Sequence, residues 1–333
     1  MRTPGVIAAA AIAVNVLTVA AQGTPARRPP IIDMHLHALP ADWFGAPPQR
    51  VCTGDVTFPG FDPRDSALLS RFHACSHPLW SPKSDDAIMR QTLAVMERYN
   101  VIGVASGPMD VVRRWRAAAP NRIIPAVGSA GEVPLDSIRV WAANGSIRVL
   151  GELMFQYAGL APTDSIPEAY YALAEKLDLP VAVHVGPGPP GAPYVGSPRY
   201  RAALSNPLLF EQTLVRHPKL RLDVMHAGWP MIDQMIALLY AHPQVYVDVG
   251  VISWVLPRKE FHRYLQRLVE AGFGKRVMFG SDEMVWTQSL PIAIEAVETA
   301  SFLTPSQKRD IFYNNAARFL RLQQNTKIHR TDH

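Results

Sequence analysis

A chain of 333 residues with 48% hydrophobic content is long enough to enclose one large core or two small ones. Its 33 basic and 28 acidic residues leave a net charge of +5, with lysines and arginines scattered among the acids. Nucleic-acid binding needs a basic stripe, and the pairs Arg27-Arg28 and Arg113-Arg114 are too short to form one, so no nucleic-acid partner is expected.

The first thirty residues form a separate object. Arg2 gives a short basic start, Val6 to Ala21 is almost wholly apolar, and Val19-Ala20-Ala21 supplies the small residues that a signal peptidase cuts after. This pattern predicts a signal peptide over residues 1–21, cleaved near Ala21, and export to a periplasm or the outside. The apolar run is short for a membrane span and no later segment is longer, so no span is expected after cleavage; an uncleaved anchor is the alternative. Residues 22–30 read as a flexible leader, residues 31–322 as one domain and residues 323–333 as a disordered tail. Cys52 and Cys75 are the two cysteines of the chain. An even count in an oxidising compartment fits a disulfide between the first strand and the first helix, and two separate thiols fit as well.

Eight apolar, β-branched runs then recur with helical patterns between them: Ile31–His35, Val101–Ala105, Ile123–Val127, Ile147–Glu152, Val181–Val185, Leu220–His226, Val245–Val249 and Val277–Asp282. Continuous apolar runs, in place of alternation, indicate parallel strands buried on both faces. Pro167, Pro207, Pro230 and Pro257 stand where first helical turns should begin, with Asn206 as a cap before Pro207. Thr304-Pro305-Ser306-Gln307 offers a capping box before the last helix, and Gly145 and Gly272 follow helical patterns where a left-handed cap is expected. Eight strand–helix repeats at this length predict a closed (β/α)8 TIM barrel. A doubly wound open sheet is the second choice, but no Gly-x-Gly-x-x-Gly turn follows the first strand.

Two connections are long, and both leave carboxyl ends of strands, where barrel enzymes place their sites. Ala38 to Ser84 carries Trp43, Phe44, Phe58, Phe61, Phe72 and Trp80, and reads as a lid or pocket wall; Gly186 to Ser205 is rich in proline and glycine.

The chemistry concentrates at strand ends. His35 and His37, as residues i and i+2 of a strand, aim two imidazoles into one space. Glu152, His184, His226 and Asp282 each end another apolar run. In a barrel the first and eighth strands are neighbours, so all six converge on one mouth. Such nitrogen and oxygen donors suit Zn2+ first, and also Mn2+, Fe2+ or Ni2+. Either two ions share Glu152 as a bridge, or one ion uses His35, His37, His184 and Asp282 and leaves His226 and Glu152 for catalysis or support. Glu152 can alternatively salt-bridge to Arg148. Asp248 ends the seventh run and is not placed in the site. His73 and His77 are read as surface or pocket histidines of the first loop; His217, His242 and His262 are expected to be solvated. Tyr157 and Trp286, closely following Glu152 and Asp282, are the preferred substrate-wall aromatics over Trp229 and Trp254.

Together, Asp33-Met34-His35-Leu36-His37, His226-Ala227-Gly228-Trp229-Pro230, Phe279-Gly280-Ser281-Asp282 and Tyr313-Asn314-Asn315-Ala316-Ala317-Arg318-Phe319-Leu320 resemble the amidohydrolase superfamily. More narrowly they resemble its amidohydrolase-related branch (amidohydrolase 2) of barrel metal-dependent hydrolases and decarboxylases, over Ile31 to Leu322. The resemblance implies that His35, His37 and His184 are ligands and that Asp282 is both ligand and proton carrier. It makes His226 a ligand in two-metal members and a catalytic histidine in one-metal members. Many two-metal members have a carboxylated lysine at the fourth strand; Glu152 stands there instead, which leaves the metal number open.

The leading expectation is a metal-dependent hydrolase that cleaves an amide, ester or lactone with a metal-activated water, Asp282 taking the proton. A non-oxidative decarboxylase of the same fold is the alternative, and a non-catalytic binding protein the third reading, disfavoured by the presence of both Asp282 and His226. The expected partners are a small-molecule substrate and a second copy of the chain in a homodimer, with the oligomeric state itself left open.

Overall fold

The computed structural model describes residues 28–54, 62, 64 and 75–322. The expected signal peptide, most of the leader, the tail and the loop residues Phe58, Phe61, Phe72 and His73 lie outside the described residues.

Eight parallel strands form a nearly closed barrel in chain order. They are β1 (Ile31–His37), β2 (Val101–Ser106), β3 (Ile123–Ser129), β4 (Val149–Leu153), β5 (Val181–His184), β6 (Leu222–Met225), β7 (Val245–Asp248) and β8 (Val277–Met278). Every predicted run supplies a strand, and the TIM barrel is the observed architecture. The eighth run is shorter than expected: its ladder with β7 ends at Met278. Beyond it the chain closes the barrel irregularly, Met34 N donating to Phe279 O (2.9 Å), His37 N to Glu283 O (2.9 Å) and Asp282 N to His35 O (2.6 Å).

The principal helices are α1 (Asp85–Tyr99), α2 (Met109–Ala118), α3 (Leu135–Ala143), α4 (Ser165–Leu177), α5 (Glu211–Arg216) and α6 (Ile232–Ala241). They continue as α7 (Ile252–Val255), α8 (Arg258–Leu268), α9 (Ser289–Glu298), α10 (Pro305–Arg309) and α11 (Asn315–Phe319). The caps follow the sequence signals. Asn206 accepts from Leu208 N, although the turn it caps, Pro207–Phe210, is 3-10; Thr304 and Gln307 form the capping box of α10. Gly145 and Gly272 take the left-handed φ values of 72° and 93°.

Two packed layers hold the barrel. Ile32, Met34, Val104, Ala126, Val149, Ala182, Met225 and Met278 form one buried cluster with Ala316, Ala317 and Phe319 of α11. This is the lumen, and α11 plugs its amino end, where Arg221 just before β6 donates to Phe319 O. The larger cluster lies between strands and helices and includes Trp115, Phe261 and Leu290. With the lumen filled and its lower end plugged, the six predicted site residues gather at or just beyond the carboxyl ends of the strands.

Cys52 and Cys75 are joined in a disulfide (S–S 2.13 Å), so of the two readings the staple is the one realised. Close by, Arg50–Val51 pairs antiparallel with Leu79–Trp80. No described helix is long and apolar enough to cross a membrane.

Candidate active site

His35 and His37 project from β1 on one side, as the two-residue period requires, and both are buried. Glu152 lies in β4 and His184 ends β5, whereas His226 is the first residue beyond β6 and Asp282 follows β8 by four positions. His226 and Asp282 both adopt left-handed backbone, with φ of 59° and 52°. Non-glycine residues there cost roughly 1–3 kcal/mol and persist only where the surroundings over-determine them. Here Asp282 N is tied to His35 O, and His226 Nδ1 lies 3.0 Å from Gly250 O.

The structure brings all six predicted ligands together, and Glu152 sits between two sets of histidines. Its Oε2 lies 3.5 Å from His37 Nε2 and 3.7 Å from His35 Nε2, while its Oε1 lies 2.7 Å from His184 Nδ1 and 3.5 Å from His226 Nε2. Asp282 Oδ1 is 3.0 Å from His37 Nε2 and 3.4 Å from His35 Nε2; its Oδ2 faces His226 Nδ1 at 3.9 Å. His226 Nε2 and His184 Nδ1 are 2.9 Å apart. Three overlapping trios have ligand atoms within 4.8 Å of one another: His35–His37–Glu152, His35–His226–Asp282 and Glu152–His184–His226. The ion pairs of Glu152 are all with histidines, so the salt bridge to Arg148 does not form among the described residues.

The fit to a divalent cation can be tested on the protein alone. His35 Nε2 and His184 Nε2 are buried without a hydrogen-bond partner, which is costly unless something else takes up their lone pairs or protons. Burial opposes the charge on Glu152, but the hydrogen bond to His184, with His226 and His35 beside it, holds the carboxyl well below the usual range. Asp282 is likewise held low against burial by the His35 charge and His37. For His35, burial is outweighed by the Asp282 and Asp248 charges, which push its imidazole well up, whereas burial and the nearby His226 lower His184. Two acids held low among imidazoles, two of which have unpartnered buried ring nitrogens, form the kind of donor set that a divalent cation would take up. The donor set fits.

Asp248 is the residue that sequence reasoning left out. It is fully buried at the end of β7, with Oδ2 3.3 Å from His35 Nδ1 and Oδ1 2.7 Å from Gly250 N and 3.4 Å from His226 N. One carboxylate thus orients the ring of one predicted ligand and the backbone of another. His37 Nδ1 is similarly held by Ser106 Oγ at 3.1 Å. Fixing the far ring nitrogen leaves the near one aimed at the shared space. The available signal was a lone acid closing the apolar strand Val-Tyr-Val-Asp, two residues before a glycine.

The remaining residues fall around this centre. Tyr157, in the turn just after β4, sets its ring 5.0 Å from that of His184. Trp286 donates from Nε1 to Gln49 O at 3.0 Å and stacks on Phe44 at 5.5 Å, joining the rim after β8 to the loop after β1. His77 is outside the metal-ligand trios and lies 3.0 Å from Ser76 Oγ. The expectation of solvated His217, His242 and His262 is corrected: each is only partly exposed and partnered. His217 is clamped between Glu168 (2.8 Å) and Glu175 (3.1 Å) of α4, because its helix end packs against that helix instead of facing water.

Comparison with known proteins agrees with this architecture. Residues 32–322 match the family described as Amidohydrolase. Nothing among curated protein sequences matches. Among solved structures, the 5-carboxyvanillate decarboxylase of Sphingomonas paucimobilis is similar with a TM-score of 0.57 at 13% identity, covering 88% of this chain and 99% of that one. A probable 2-pyrone-4,6-dicarboxylic acid hydrolase from Acinetobacter baumannii gives 0.56 at 14% identity, covering 87% and 98%. The 4-oxalomesaconate hydratase of Rhodopseudomonas palustris gives 0.53 at 17% identity, covering 87% and 95%. At such identities these likenesses speak for the fold, and their three reaction classes leave the chemistry to be argued from the site. By the match along nearly all of its described length, the chain belongs to the amidohydrolase family.

Proposed function

We propose that the protein is a metal-dependent hydrolase of small-molecule amides, esters or lactones, with Zn2+ as its ion. The observation that carries this reading is Asp282, a buried carboxylate kept ionised beside His35 and His37, with its second oxygen turned toward His226. A divalent cation, when bound, lowers the pKa of a coordinated water from 15.7 toward ~7. Asp282 then accepts a proton from the attacking water and delivers it to the leaving nitrogen or oxygen. His35, His37, Glu152, His184, His226 and Asp282 would hold the metal, which would supply a Lewis acid and an activated water. Buried surroundings keep bulk water from competing for these groups. The N-terminal apolar run and the Cys52–Cys75 pair support export to an oxidising compartment.

The test is turnover by the zinc-loaded protein on a panel of esters, lactones, amides and aromatic carboxylic acids. Ester or lactone hydrolysis releases acid in a pH-stat, whereas decarboxylation consumes a proton and releases carbon dioxide. Acid release is the expected result; carbon dioxide alone would establish the decarboxylase instead. Asp282→Asn should retain the fold and lower kcat by on the order of 10²–10⁴.

A further inference from the structure

Two tyrosines flank the mouth beside His184, with rings 4.8 Å apart, but their hydroxyls are used differently. The Tyr200 hydroxyl is committed: it donates to Gly186 O and lies 2.7 Å from Gln156 Nε2. The Tyr157 hydroxyl makes no hydrogen bond with any described residue, although the ring is mostly covered. The ring itself is fixed, packed edge-on against His184 on one side and tilted against Tyr200 on the other. Space for its free end is kept by Gly188, where a Cβ would come within 3.2 Å of Tyr157 Oη and also of the Tyr200 ring. An O–H donor held beside a buried histidine of the cluster, with no partner among the described residues, is placed for something that enters the site.

We propose that Tyr157 is a further catalytic residue, donating its hydroxyl hydrogen bond to the substrate oxygen that gains negative charge during bond cleavage; this rests on the hydrolase reading above. The water oxygen forms its bond to the carbonyl carbon and gives one proton to Asp282, while the carbonyl π pair moves onto its oxygen, facing Tyr157. When that pair returns, the bond to the leaving atom breaks and the leaving group takes the proton from Asp282. The phenol keeps its own proton throughout. A phenol ordinarily titrates at about 10, so at neutral pH it carries its proton and remains a donor. A donor fixed before the reaction needs no reorganisation as charge develops, which is why such groups are effective.

The experiment compares full-length, zinc-loaded wild type with Tyr157→Phe, which keeps the packed ring and deletes the donor. On an ester or lactone turned over by the wild type, kcat should fall about 10²–10³-fold, as for loss of one oxyanion donor, with KM and zinc stoichiometry unchanged. Methylphosphonate, a tetrahedral mimic of the charged stage, should bind the variant about ten-fold or more weakly, since bonds to charged groups are the strong ones. Planar acetate should bind both proteins alike. Wild-type kcat in the variant, equal weakening of both anions, loss of zinc, or failure of the wild type to bind methylphosphonate each overturns the proposal. If the wild type hydrolyses nothing in the panel while Tyr157→Phe still selectively weakens methylphosphonate, the hydrolase reading falls and Tyr157 stands as an oxyanion donor.

Discussion

Replacing Gly250 with alanine is the sharpest test of how the centre is built. A Cβ there would lie 2.5 Å from His35 Nδ1, 2.9 Å from Asp248 Oδ1 and 3.1 Å from Asp282 Cβ. Ordinary contact begins near 3.4 Å, so the His35 ring must retreat by about 0.9 Å or the β7 loop must move by as much. Metal–ligand distances tolerate only about 0.2 Å, so a shift several times larger removes His35 from any ion it holds. Overpacking of this kind costs typically ~1–3 kcal/mol, and disturbed ligand support lowers metal affinity about 10–100-fold. Zinc affinity measured against a competing chelator, together with thermal unfolding in EDTA, separates the two effects. Gly274→Ala is the control, with no contact closer than 3.6 Å and no left-handed φ, and should shift stability by less than about 0.5 kcal/mol. Wild-type zinc affinity and unfolding temperature in Gly250→Ala would refute the cradle described around His35.

Three further outcomes follow from the same geometry. Asp248→Ala should weaken zinc binding about 10–100-fold, with activity recovered at saturating zinc, because the carboxylate orients ligands without being one. Removing zinc by dialysis against chelator should lower the unfolding temperature, and readdition should restore it in a concentration-dependent way, as expected for a ligand that binds only the folded state. Burial, opposed by hydrogen bonds from Ser281, pushes Asp33 up to about 7 from 3.8. Since the folded state holds this proton more tightly than the unfolded chain, wild type should lose stability relative to Asp33→Asn as pH rises from about 4 to 7. An unchanged difference across denaturation curves at pH 4.5, 6 and 7.5 would contradict that placement.

The barrel and the cluster of candidate ligands are legible in the sequence because both depend on short-range periodicity. Continuous apolar runs name parallel strands, and a polar residue ending such a run must sit at a strand tip, which is how His184, His226 and Asp282 were found. The last strand is read as too long because Phe279 is as apolar as Met278; the ladder ends at Met278, paired with Asp248 at the end of β7, and a Cβ at Gly280 just beyond would meet Asp248 and His35 at 2.9 Å. Asp248 is read as closing its strand but is left out of the site, since its role depends on the carboxylate reaching His35 of β1 past Gly280, which no local pattern encodes. The two-sided position of Glu152 also depends on barrel closure bringing β1 and β5 to face one carboxylate. The partners of His217 arise from helix packing across about 40–50 positions of sequence.

The fastening of the segment after β1 carries a lesson for anyone recombining this enzyme. The Gln49 carbonyl takes hydrogen bonds from both Trp286 and Ser81, Gln49 N donates back to Ser81 Oγ, and Gly54 N reaches Val255 O. The insertion is thereby keyed to two distant rim positions, and cannot be exchanged as a cassette. A graft of residues 38–84 onto a related barrel would need a matching tryptophan after the eighth strand, or its roof would arrive unlatched.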